Sequence, residues 1–357
     1  MAWFRELSAE DRSWIGLIVE AGVQSFVTWY RDPEATAVPA ADVFGAAPRT
    51  LTRVVSLRQT VELVRLTIEV VEENVADIVG PDDAESIREA ITRYAREVAF
   101  ATAEVYARAA EMRGAWDARL EALVVDTILR AEADDTLTSR ASALGWRGDG
   151  EVAVVLGYAD TASATAIDDV RRSGRTHGFE VLGAVQGDRL VAVVGGLTPG
   201  DATAVEVAGR CVAEHCGPGP VVIGPATRSL AEAHLSARAA VAGLRAAAGW
   251  PDAPRPVSTA DLLPERALAG DGHARRQLVV DVFDRLLAHR DLLATLAAYA
   301  DHNGSVERTA RALFVHANTV RYRLRRIVDV TGLDPTDARD AYTLRVAVTL
   351  GRLSHAD

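Results

Sequence analysis

The sequence predicts a multidomain chain, mainly α with one α/β domain: a helical bundle, then a ferredoxin-like α/β sandwich, then a C-terminal helix-turn-helix. Three observations predict it. Apolar residues recur at alternating steps of three and four from Val54 to Ile78, the spacing of one seam along a long helix. Between residues 151 and 248, strand-length apolar runs alternate with helical stretches in a β-α-β-β-α-β order. Near the C-terminus two short amphipathic stretches flank Phe314 and Val315, and the second carries Arg321, Arg323, Arg325 and Arg326 within six positions. A length of 357 residues suits two or three domains, each burying its own core.

The first third reads as helices. The first seam runs Val54, Leu57, Val61, Val64, Ile68, Val71, Val75, Ile78 and is stopped by Gly80 and Pro81. Asp82, three residues before Glu85, makes a cap-like start for a second helix, whose seam is Ile87, Ile91, Tyr94, Val98, Ala101, Val105. Such seams form the core of an intramolecular bundle, and one of them can also pair subunits. From residue 132 to 151 periodicity lapses and polar residues and glycines gather, so a helical sensory or dimerisation domain is assigned to 1–140.

Residues 141–262 form the expected α/β domain. "EVAVVLGYA" reads as a strand, 163–176 as a helix, "FEVLGAV" and "RLVAVVGG" as strands joined through Gln186, Gly187 and Asp188. A helix to about Cys216, the strand "PVVIG" and an alanine-rich helix from Ser229 to Ala248 complete it. Pro251, Pro254 and Pro256 then interrupt regular structure.

Residues 263–357 read as a helical linker and the helix-turn-helix. "DGHARRQLVVDVFDRLLAHRDLLATLAAYADHNG" is expected as helix leading into the last domain, ending at Asn303 and Gly304. Ser305 is suited to cap the next helix and Glu307 complements its positive end. A new helix starts with His316 near its cap and stops at Gly332. Val320, Leu324 and Ile327 recur at steps of four and three and should pack on Ala310 and Leu313. Asn318, Arg321, Tyr322 and Arg325 then face outward. Arginine can bond guanine bidentately and asparagine adenine, which makes Arg321 the first candidate base reader and Asn318 the second. Thr319, Tyr322, Arg323 and Arg326 are better placed for phosphates, which position a reader without informing it. The final helix, "DARDAYTLRVAVTLGRL", packs behind the pair as support.

Charge supports this assignment locally and not globally. The chain carries a net charge of −11, which argues against nucleic-acid binding through its general surface. From Ser305 to Val328, however, six arginines face the single acid Glu307, a balance of +5. Screening over about 8 Å lets such a patch act independently of distant carboxylates.

The same composition removes other classes. There is no lysine, so Schiff-base catalysis and a Walker-type phosphate loop are excluded. Two cysteines cannot build a disulfide framework and suit a reducing compartment. No apolar run is long enough to span a bilayer, and Arg5, Glu6, Glu10, Asp11 and Arg12 interrupt any leader-like stretch. A cytoplasmic location is expected. Cys211 and His215, four apart, with Cys216 adjacent, have the geometry of a partial metal site, with no evident fourth ligand unless His234 approaches; the bland reading, buried small hydrophobes, is preferred and no metal or cofactor is expected.

The segment "LLATLAAYADHNGSVERTARALFVHANTVRYRLRRIVDVTGLD" resembles the C-terminal helix-turn-helix of PucR/CdaR-type bacterial transcription regulators, whose core reads vHrNTVrYRLrrI…tG. Leu313, Val315, His316, Asn318, Thr319, Val320, Arg321, Tyr322, Arg323, Leu324, Ile327 and Gly332 match it; Ala317 stands where that family usually carries arginine. The middle region resembles a degenerate GGDEF-like domain, and the helical N-terminus more loosely an RsbR-like sensory domain. The resemblance implies a sequence-specific DNA-binding regulator, not an enzyme, with duplex DNA as partner, a homodimer or higher homo-oligomer as the working form and a possible small-molecule effector. His316, Asn318, Thr319, Arg321, Tyr322, Arg323, Arg325 and Arg326 are the expected DNA contacts. The alternative is a stress-signalling scaffold working through protein contacts. A nucleotide cyclase would need paired carboxylates on metal, whereas the matching turn reads "VQGDRL" with Asp188 alone and Asp160 isolated after the first strand.

Overall fold

A computed structural model of the chain describes residues 2–31, 55–132, 136–160, 162–163 and 165–355. Contacts divide it into two compact units, Met1–Asp117 and Ala118–Asp357. No described helix is long and apolar enough to cross a membrane.

The first unit is helical: α1 (Ala2–Glu6), α2 (Ala9–Arg31), α3 (Leu57–Val79) and the start of α4 (Pro81–Arg130). Gly80 adopts a left-handed φ of +88°, which lets α4 begin on Pro81 directly after α3 ends. Along the expected seams Val75, Ile91, Tyr94 and Val98 are buried, and the Tyr94 hydroxyl donates to the Gly22 carbonyl at 3.2 Å. Val54 lies outside the described residues, as do the side chains of Ile78 and Asp82.

The second unit begins within α4. Val124, Val125 and Ile128 of its last turns, with Leu137 and Ala141 of α5 (Leu137–Ala143), join the core on one face of the sheet. The lapse in periodicity from residue 132 to 151 thus contains the break between α4 and α5, two helices of one core, and α5 itself. Strands β1 (Glu151–Tyr158), β2 (Glu180–Gln186), β3 (Arg189–Leu197), β4 (Val222–Ile223) and β5 (Val257–Ser258) form one sheet in the order β2-β3-β1-β4-β5. The pairings among β1 to β4 are all antiparallel, with Val154 opposite Val193 and Val155 opposite Ile223. This is the expected ferredoxin-like arrangement.

Helices cover both faces: α8 (Ala233–Ala246) on the side of Val152, Val154 and Leu156, and α6 (Ala166–Thr176) with α7 (Ala202–Ala213) on the side of Ala153 and Val155. Burial on both faces is why β1 reads as a continuous apolar run rather than an alternating one.

Two expectations are corrected here. β5 falls inside the stretch read as irregular from its prolines. It pairs parallel to β4, Val222 opposite Val257, with the Val257 N–H donating to Val221 O at 2.8 Å; Pro256 lies just before the strand, where its missing N–H costs the ladder nothing. The single helix expected from Asp271 to Gly304 is instead several pieces. α9 (Leu263–Leu268) is followed by α10 (Gly272–Leu278), a π-helical stretch Val279–Asp284 and a short α11 (Arg285–Leu287). The chain breaks at His289 before α12 (Arg290–Asp301). Leu278, Phe283, Leu286, Leu292 and Leu296 all enter one core, which a single straight helix could not bring about.

Candidate nucleic-acid interface

The candidate interface is built on α13 (Val306–Ala312) and α14 (Ala317–Thr331), backed by α15 (Ala338–Ser354). Ser305 caps α13, its Oγ accepting from Arg308 N–H at 3.3 Å. His316 caps α14, its Nδ1 accepting from Asn318 N–H at 3.1 Å. Gly332 closes α14 with a left-handed φ of +75°. Each helix end thus satisfies backbone groups that would otherwise compete for partners.

The underside of α14 is Val320, Leu324 and Ile327, all buried, in the same core as Ala310 of α13 and Leu344, Ala347 and Val348 of α15. Steric necessity then turns the opposite face outward. Asn318, Arg321, Tyr322 and Arg325 are exposed, Tyr322 to 61%. The Arg321 guanidinium donates to Asn318 Oδ1 at 3.0 Å and reaches Glu307 Oε1 of α13 at 3.5 Å. The two candidate base readers are thus held side by side, with a carboxylate from the neighbouring helix orienting one of them.

Of the expected phosphate contacts, Thr319 is half-buried and Arg326 exposed, the latter paired with Asp329 at 3.2 Å. Arg323 departs from expectation. Its guanidinium turns back onto α12, with Nε 3.2 Å from Asp291 Oδ2 and Nη1 donating to Thr295 Oγ1 at 3.2 Å, and its side chain is only 22% exposed. It staples α14 to α12. The contact of Glu307 with Arg321 spans 14 residues and two separate helices, so no local pattern announces it.

The other candidates are scattered. Cys211 Sγ lies 3.4 Å from His177 Nδ1, a neighbour the sequence did not suggest, while Cys216 Sγ donates to Val212 O and His234 Nδ1 meets Ala231 O. Burial pushes the Cys216 thiol up to about 11, against thiolate chemistry near neutrality. No group of three or more potential metal ligands occurs among the described residues. Asp188, on the β2–β3 turn, is exposed beside Arg189, and Asp160 accepts from Ala162 N–H.

Residues 292–350 match the PucR C-terminal helix-turn-helix domain, and residues 130–246 the GGDEF-like domain. An uncharacterized protein of Mycobacterium tuberculosis is 42% identical over 367 aligned residues, covering 99% of this chain and 87% of its own. The crystal structure of a regulator of polyketide synthase expression from Bifidobacterium adolescentis is 32% identical with a TM-score of 0.53, covering 67% of this chain and 99% of that one. The carbohydrate diacid regulator of Escherichia coli is 48% identical over 59 residues, 16% of this chain and 15% of that one. These likenesses indicate a regulator rather than an enzyme.

Proposed function

The chain belongs to the PucR/CdaR-type family of bacterial transcription regulators, and from that premise we propose that it is a cytoplasmic, sequence-specific DNA-binding regulator working as a homodimer or higher homo-oligomer. The observation that carries the reading is the outward face of α14. Asn318, Arg321, Tyr322 and Arg325 stand on a fully buried underside, with capped helix ends on both sides. A helix so mounted fits the major groove, its N-terminal residues toward base edges. Arg321 reads a base with Asn318 beside it; His316, Thr319, Tyr322, Arg325 and Arg326 approach phosphate or sugar. Arg323 supports the helix from behind.

Control belongs to the remaining parts: a small-molecule effector or partner acting on the N-terminal helices or the GGDEF-like domain shifts the population of DNA-competent chains. Two readers on a symmetric dimer imply paired half-sites separated by whole helical turns.

The test is selection of bound fragments from random genomic DNA by the purified full-length chain. The expected result is a symmetric motif bound with steep salt dependence. Arg321→Ala should lose discrimination at one position in each half-site, by about 1–3 kcal/mol. A chain that enriches no fragment, or whose Arg321→Ala variant selects the same motif with the same affinity, removes the reading.

A further inference from the structure

We infer that Phe314, in the turn between α13 and α14, is an apolar contact with the duplex, seated on deoxyribose or thymine-methyl surface beside the groove that α14 enters. The inference rests on the helix-turn-helix reading above and adds to it a residue that neither charge nor hydrogen bonding would pick out.

Two independent observations single out this side chain. Its φ is +55°, in the left-handed region where the Cβ of a bulky residue crowds the following carbonyl. Glycine occupies that region freely, and at Asn303, with φ +53°, a short polar side chain eases it. Phenylalanine has neither advantage, so the turn itself gives no reason for it. The ring is also 96% exposed, the most of any large hydrophobic side chain among the described residues. Its neighbour Val315 packs on the C-terminal core, so the core gives no reason either. A residue unfavourable on both counts in the free chain is rewarded in another state.

The surroundings identify that state. Arg308 and Arg311 of α13 are exposed on the approach to the turn, and His316 and Asn318 follow it at the start of α14. A ring set among cations repels a second copy of the same patch and gains nothing from a neutral apolar protein surface. It suits a polyanion that also offers apolar faces. Duplex DNA is one: phosphates for the arginines, sugars and thymine methyls for the ring. Phe314 lies two residues before the His316 cap of α14, so no separate docking event is needed.

Full-length wild type, Phe314→Gly, Phe314→Ala and Arg321→Ala are titrated with the duplex that the wild type selects, over a range of salt, and each is melted. Both Phe314 variants should bind about ten-fold more weakly. Their slope of log K against log salt should match wild type, because an apolar contact releases no counterions. Phe314→Gly should melt at or above wild type, since the strained φ is relieved. Wild-type affinity in Phe314→Gly, where Arg321→Ala has lost it, overturns the inference and leaves the reading standing. Wild-type affinity in Arg321→Ala overturns both. Two further outcomes also overturn it: loss of the melting transition in both Phe314 variants, which assigns the ring to folding, and Phe314-dependent binding to phosphatidylglycerol vesicles with DNA binding unchanged.

Discussion

Two arginines of α14, two positions apart, have opposite surroundings. Arg323 is 22% exposed and joined to Asp291 and Thr295, whereas Arg325 is exposed on the outward face. Arg323→Ala should lower unfolding free energy by about 1 kcal/mol, the net worth of a half-buried charge-assisted contact. Arg325→Ala should leave stability within about 0.5 kcal/mol, as a plain surface substitution does, while weakening DNA binding and flattening its salt slope. Denaturation and DNA titration of the two variants check this; equal behaviour in both assays would contradict it. The division was partly legible in the sequence. Arg323 sits three residues after Val320 and four before Ile327, so it borders the buried seam, and that spacing was a usable sign. Its partner lies on α12, thirty-odd residues upstream, beyond the reach of any local pattern.

At the scale of elements, the pieces that periodicity predicts are those whose burial has one simple face. α14 is such a piece, and its cap, seam and stop were all readable. β5 was not, because two residues of edge strand in a proline-rich stretch carry no period; the pairing comes from β4, far away in sequence. The π-helical stretch Val279–Asp284 was hidden for a related reason: what packs on it lies far downstream in sequence. That partner is Gly351 of α15. A methyl group there would fall within the Phe283 ring, and both residues are buried. Gly351→Ala should therefore destabilise the second unit by about 2–3 kcal/mol through overpacking, seen as an earlier urea midpoint. An unchanged midpoint would show that the π stretch can move aside at no cost.

On the scale of the whole molecule, the middle and C-terminal parts of the second unit share buried ions. Arg339 of α15 grips Glu265 of α9 through both oxygens at 2.5 Å, donates to the Asp261 carbonyl and lies 3.8 Å over the Trp250 ring. Arg266 joins Asp271 at 2.8 Å and donates to Thr259 O at 2.9 Å. Glu265 has a side chain only 4% exposed, so Arg339→Ala strands a charge in the interior. It should cost about 3 kcal/mol, measured by denaturation; Glu265→Gln with Arg339→Met should recover much of that loss. Composition could announce the number of domains but not these ties, since acid and arginine meet across 74 residues. They have a practical corollary for anyone dividing the gene. A cut at 263 leaves the guanidinium hanging where an indole and a carbonyl used to be, while a join ahead of Ala118 leaves every one of these partners in place. The sheet and the helix-turn-helix are accordingly best kept together, and any chimaera should be spliced upstream of both.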